Sequence, residues 1–275
     1  GYGADPSILI DAKPHVGTDR LLDVVRGIRQ EIEALGGEIH FHAKFCYDPE
    51  RDRERNIILA IGHSARDTYQ ELFRAGLHME AKDFAMGFRV QHPQEMIDAD
   101  LYGAIDAETR RILGPGAYKI THTSTKNGRG VYSFCMCPGG YVVNSSSEPG
   151  HLCVNGMSYH ARDGKNANAA IIVSIRKSDY HGEEHPLGGI ALQQELEARA
   201  YRLLDGRVPV QTYGDFKKNR ATTAESAGSV APAIKGAYGY SRLNGLFEFD
   251  ATSPYASLND FNETFIEGME SFEHK

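Results

Sequence analysis

Leu21, Leu22, Val24, Val25, Ile28, Ile32 and Leu35 fall on one stripe at helical period and predict a helix over residues 18–35. Thr18 supplies an N-cap, Asp19 suits the positive end of the helix, and Gly36-Gly37 stop it. Ile39, Phe41, Ala43 and Phe45 then alternate with polar neighbours, the signature of a strand over residues 38–45. Beyond a charged connector at 47–56, residues 57–61 are apolar at every position, which predicts a strand covered on both faces, as in a parallel sheet. That run passes through Gly62-His63-Ser64-Ala65-Arg66-Asp67 into a second helix that ends near Gly76. Residues 18–76 therefore read α-β-β-α.

After Gly76 the pattern changes. Phe84, Met86, Phe88 and Val90 alternate with Ala85, Gly87, Arg89 and Gln91, and further strands are predicted at 117–123, 131–137, 141–146, 167–175 and 208–212. Glycine-rich turns separate them, an amphipathic helix covers 187–204, and residues 217–256 lack a period and read as an extended, partly mobile loop. The last helix, over 258–272, has a capping-box spacing in Ser257 and Asp260. The fold class expected is α/β at the start, a partial Rossmann-like strip, followed by a mixed α+β domain with a largely antiparallel sheet.

Composition narrows the function. The 275 residues carry a formal charge of −7 with no basic stripe, which argues against nucleic acid, since phosphate binding needs clustered Lys and Arg. A chain this long buries roughly three quarters of its unfolded surface and needs neither disulfides nor metals to fold. Four cysteines do not make a secreted disulfide scaffold, and no apolar stretch approaches the roughly 20 residues of a membrane span. With no signal-peptide layout at the N-terminus, a cytoplasmic protein is expected. The first residues lack a start methionine and the last helix is still running at the end, so both ends read as internal cuts.

Four stretches have the density to carry chemistry. The turn Gly62–Asp67 at a helix start exposes backbone N–H groups that favour an anion; its plainer reading is a strand-to-helix turn capped by Ser64. Lys13-Pro14-His15-Val16-Gly17-Thr18-Asp19 is a polar lead into a helix, or simply a loop with a good cap. Cys135-Met136-Cys137-Pro138-Gly139-Gly140 sets two cysteines on one face of a strand. With His151 and Cys153 they supply the donor types of a zinc site, although buried core cysteines fit the spacing better and no metal is expected. The loop from Asn155 to Asn168 crowds Asn155, Ser158, Tyr159, His160, Arg162, Asp163, Asn166 and Asn168 together, a density that suits a binding loop, or else a solvated loop whose Asn and Gly serve turns. A Gly-x-Gly-x-x-Gly turn between strand and helix, a Walker loop and a Gly-x-Ser-x-Gly elbow are all absent.

Taken together, Asp11–Asp19, Leu59–Asp67, Phe134–Gly140 and Asn155–Asp163 resemble a bacterial family of uncharacterised FAD-dependent dehydrogenases, and the resemblance extends over nearly the whole chain. It implies a Rossmann-like FAD domain carrying an inserted substrate or cap domain, with residues 1–66 in the first and 67–275 in the second. The glycine-rich pyrophosphate motif would precede Gly1, and the closing flavin-domain segment would follow Lys275. By the same resemblance, Lys13, His15, Gly17, Thr18, Gly62, His63, Ser64, Arg66 and Asp67 lie near the FAD. Cys135, Cys137, His160 and Arg162 would be the candidate catalytic residues, and Gly139, Gly140, Asn155, Ser158 and Asp163 would contact substrate. The implied activity is flavin-mediated hydride transfer on a small molecule, with NAD(P)H or another electron partner. The β-meander that the family carries between its counterparts of residues 38–45 and 57–61 is reduced here to the connector. The alternative is a non-catalytic cap or substrate-binding module that does not hold FAD on its own.

Overall fold

The protein is described by a computed structural model covering every residue except Gly1, Gly3, Asp11, Ala12, Lys13, Val230, His274 and Lys275. In chain order the elements are α1 (Thr18–Ala34), α2 (Arg66–Arg74), β1 (Phe84–Pro93), α3 (Gln94–Tyr102), α4 (Ala107–Leu113), β2 (Thr121–Thr123), β3 (Gly130–Cys137), β4 (Tyr141–Asn144), β5 (Val154–Met157) and β6 (Asn166–Ile175). They continue with α5 (Gly188–Leu204), β7 (Val208–Val210), α6 (Tyr213–Lys217), β8 (Ile234–Lys235), β9 (Tyr238–Tyr240) and α7 (Phe261–Phe272). The main sheet has the order β1-β6-β3-β2 and is antiparallel throughout; smaller sheets run β5-β4-β8 and β7-β9. The mixed α+β character expected for the larger part of the chain is observed.

Alternation along the strands decides where the core lies. Register pairs Phe88 with Ile171 and Val131 with Val173, so these side chains share one face of the main sheet. Leu192 and Leu196 of α5 and Phe261 and Phe265 of α7 belong to the same buried cluster. Phe88 meets Phe216, Phe247, Phe261 and Phe265 edge-on, with centroids 5.3–6.0 Å apart, the geometry that ring quadrupoles favour.

Residues 38–45 and 57–61 correct the expected pattern, because neither segment forms a strand. A strand must pair its backbone N–H and C=O groups with a neighbour, and no described residue pairs with either segment. Their apolar side chains are left open, with Ile58 93% and Phe41 63% exposed. The stripe on α1 is real yet buries nothing in this chain. The caps differ as well. Gly17, not Thr18, occupies the N-cap of α1, and Ala65, not Ser64, that of α2, each without a capping side chain. The Ser257 hydroxyl donates to Asp179 at 3.0 Å, and Asp260 makes no capping bond to α7.

Residues 217–256, read as loose from their sequence, are pinned. Asp215 accepts from the Thr222 and Ser226 hydroxyls at 2.8 and 2.9 Å, β8 and β9 each join a sheet, and Leu246, Phe247 and Phe249 enter the core. Short backbone pairing and scattered anchors leave no period to detect.

His92, on the core side of β1, keeps Nε2 buried without a hydrogen-bond partner, its ring 5.5 Å from that of Tyr118. Burial pushes its pKa below the usual 6.5, since charging a desolvated imidazole is costly. The sign follows from linkage: the unfolded chain binds the proton more readily, so this contribution is full above pH 6.5 and is lost as pH falls through the lower folded value. Urea unfolding between about pH 7 and pH 5 is expected to show that loss, and His92→Phe to remove this part of the slope.

Candidate functional site

The polar loop after β5 and the lead into α1 meet. His15 Nε2 donates to the Tyr159 carbonyl at 3.0 Å, Thr18 N to Ser158 O at 3.1 Å, and His160 Nδ1 to Val16 O at 3.1 Å. The His160 backbone N–H donates to Asp19 Oδ1 at 2.8 Å, and this bond holds the Asp19 carboxyl below the usual range. The two imidazoles stack at 6.4 Å. Gly17 is required here: its φ is +90°, and a Cβ would come within 2.4 Å of His160 N. Thus the polarity seen in both stretches is partly spent on joining them.

Beside this junction, β3 is irregular. Its register with β6 shifts between Phe134 and Cys137, and Cys135 has φ +45°, a left-handed conformation rare for a side chain with a Cβ. The bulge turns the Cys135 carbonyl to accept from Arg89 Nη2 at 2.7 Å, while Cys137 Sγ lies 3.5 Å from the same nitrogen. Arg89 Nε donates to Asn168 Oδ1 at 2.8 Å. Gly156 of β5 passes directly over this pair; a Cβ there would lie 2.0 Å from Arg89 Nη2 and 2.3 Å from Asn168 Oδ1. Sequence reasoning did not single out Arg89, and it counted Asn168 only as one polar residue of the 155–168 loop. The available signal was a cation on the Ala/Gly face of an alternating strand.

Two features of this cluster are unusual. Among the described residues no carboxylate forms an ion pair with Arg89 or Arg162. In addition, Arg162 Nε and Asn168 Nδ2 are buried with no hydrogen-bond partner, and Asn168 is 0% exposed. Unmet buried donors cost folding free energy. Burial lowers the Arg162 pKa and raises that of the Cys135 thiol. Arg162 also has φ +51°. Gly139 N donates to Gln94 Oε1 at 2.8 Å, Gly164 N donates to Gly139 O, and Gly140 lies against Met157, so the turn after Cys137 is held to the same loop. Phe134 stands 60% exposed beside it. Asn155 bonds its own neighbour Gly156, and Asp163 is exposed.

The remaining stretch is Gly62–Asp67. Gly62, His63 and Ser64 are exposed, and Asp67 pairs with Lys44 at 2.7 Å. Arg66 is buried and committed to Glu197 at 2.6 Å and Glu148 at 3.2 Å, tying α2 to α5. Lys13 lies outside the described residues. No group of three or more His, Cys, Asp or Glu among the described residues is arranged to hold a metal, so Cys135, Cys137, His151 and Cys153 do not form the zinc quartet their spacing allowed. All four cysteines are free thiols. No described helix is long and apolar enough to cross a membrane.

Residues 83–274 match the family described as FAD-dependent protein, C-terminal domain-like, and the chain belongs to that family. It is similar to an uncharacterized protein of Clostridium beijerinckii, 44% identical over 256 residues. The match covers 88% of this chain and 47% of the relative, so the chain spans about half the length of the curated relative it matches. The matched family region contains Arg89, Cys135, Cys137, His160, Arg162 and Asn168.

Proposed function

We propose that this chain is the substrate-side part of an FAD-dependent oxidoreductase, with residues 67–275 forming the inserted domain and residues 1–66 a strip of the Rossmann-like flavin domain. The observation that carries this reading is the pair of buried, unpartnered donors at Arg162 and Asn168 beside the Cys135 bulge, within a family described as FAD-dependent protein, C-terminal domain-like. The open apolar stripe of α1 and the uncovered residues 57–59 support it further, as surfaces suited to packing against more of a flavin domain.

The donor set fits one end of the cofactor. Arg162 and Asn168 offer hydrogen bonds to the polar edge of a flat ring, and exposed Phe134 offers an apolar surface next to them. A pyrophosphate needs a glycine-rich turn at a helix N-terminus, and this sequence contains no such fingerprint. When bound, FAD supplies hydride chemistry that amino-acid side chains lack. The chain's own residues bind and orient. Arg89 attracts an anionic or carbonyl group, the bulge at Cys135 fixes Arg89, and His160 positions Arg162 by anchoring its loop to Val16 and Asp19. Arg66, by contrast, positions α2.

Titrating FAD into the purified chain while recording difference absorbance tests this reading. The expected result is a perturbed flavin band, with binding too weak to survive gel filtration because the phosphate end has no site here. Arg162→Gln is expected to weaken the binding about tenfold, the order of one charged hydrogen bond. An unperturbed spectrum at saturating FAD would overturn the proposal.

A further inference from the structure

A cavity of about 240 Å³ lies at the free edge of β1, between the main sheet, the β5-β4-β8 sheet and α5. Met86, Phe88, Leu196, Val210, Ile234 and Phe247 give it a predominantly apolar wall. Its volume exceeds the roughly 150 Å³ of an engineered apolar cavity that accepts benzene, and falls near the lower end of pockets for small organic ligands.

The polar groups are few and of one kind. Arg89 reaches the wall with no carboxylate partner among the described residues, and its other contacts are with Asn168, the Cys135 carbonyl and Cys137. The Gln91 carbonyl oxygen already accepts from Ala233 N at 2.9 Å, so this side chain has its NH2 donors left to offer. Gln211 is engaged through Leu243, Arg220 and Asn244. Glu197 is the acidic residue on the wall, and Arg66 meets both its oxygens, at 2.9 and 2.6 Å, which leaves the wall's uncompensated charge positive. Arg89 Nε and Nη2 already donate to Asn168, Cys135 and Cys137, which leaves the Nη1 hydrogens to meet a carboxylate.

We propose that this cavity binds a small monocarboxylate with an apolar body, a medium-chain fatty acid or an arylalkanoate, with the carboxylate on Arg89 and the body between β1 and α5. As a ligand site it stands on the cavity itself. As the substrate site it rests on the flavoprotein reading, since Arg89 links the cavity to the Cys135–Cys137 bulge where the flavin ring is proposed to lie.

The test is calorimetric titration of the purified chain, without FAD, with octanoate, octanol and acetate. Octanoate is expected to bind at a single site and at least tenfold more tightly than octanol, which lacks the charge, or acetate, which lacks the body. Arg89→Gln should bring octanoate down to the level of octanol. Ala200→Phe, which fills the cavity from α5, should abolish binding of both. The methyl resonance of Met86, labelled with carbon-13, reports occupancy in the unaltered protein and keeps the test open should either variant fail to fold. Equal affinity for octanoate and octanol, an undiminished octanoate affinity in Arg89→Gln, or an unmoved Met86 methyl at saturation would each overturn the proposal. Octanoate binding in a chain that leaves the flavin spectrum unperturbed would keep the ligand site and remove only its role as substrate site.

Discussion

Arg129→Ala is expected to cost about 3–5 kcal/mol of folding free energy, the usual range for breaking a buried ion pair from one side. Arg129 and Asp179 are each about 5% exposed at the side chain and meet in a two-point pair, Nη1 to Oδ2 at 2.7 Å and Nη2 to Oδ1 at 2.9 Å. Arg129 also donates to Ser174 O, at 3.0 Å, and to Ser257 O, so one guanidinium joins β6 to the turn before α7. Burial would raise the Asp179 pKa, but the bonds from Arg129 and the Arg176 N–H outweigh it and keep the group below the ordinary carboxylate range. Removing Arg129 leaves that carboxylate desolvated with weaker partners. The double variant Arg129→Met, Asp179→Leu is expected to recover much of the loss, because an apolar pair of similar bulk avoids the stranded charge. Urea unfolding of the two variants measures the difference; equal destabilisation would show that the pair matters through packing alone.

Phe261→Ala is expected to cost a similar amount, about 3–5 kcal/mol, as for other large-to-small aromatic changes in cores. Phe261 is 1% exposed, stacks on Phe247 at 3.5 Å and meets Phe88 edge-on at 6.0 Å, so it joins α7, the 244–249 turn and β1. The void would be hard to close, because the surrounding rings are already fixed by one another. Phe261→Leu should lose about half as much by retaining part of the buried surface. A loss under about 1.5 kcal/mol for the alanine variant would mean that the cluster collapses freely.

Periodicity revealed the larger part of the chain well, because each strand there covers one face and each helix buries one stripe. β1, β3 and β6 and helices α5 and α7 lie close to their predicted ranges. The same logic failed at residues 38–45 and 57–61, where the pattern describes surfaces whose partners are not among the described residues. At the candidate site, polarity singled out the 155–163 loop and the Lys13–Asp19 lead, and the fold joins His15–Asp19 to that loop. What no spacing reveals is a side chain's unmet hydrogen bond. Arg89 and Asn168 are 79 residues apart and meet only through the register of β1 on β6.

The central claim is that the flavin ring lies against the β3 bulge, and cysteine footprinting tests it most directly. Cys135 and Cys46 are both exposed free thiols, the first at the bulge and the second in the connector after residue 45. Alkylation of each thiol is followed by mass spectrometry with and without saturating FAD, at alkaline pH because partial desolvation of its sulfur raises the Cys135 pKa. The account predicts that FAD slows alkylation of Cys135 several-fold and leaves Cys46 unchanged. An unaltered Cys135 rate, or equal protection of Cys46, would contradict it.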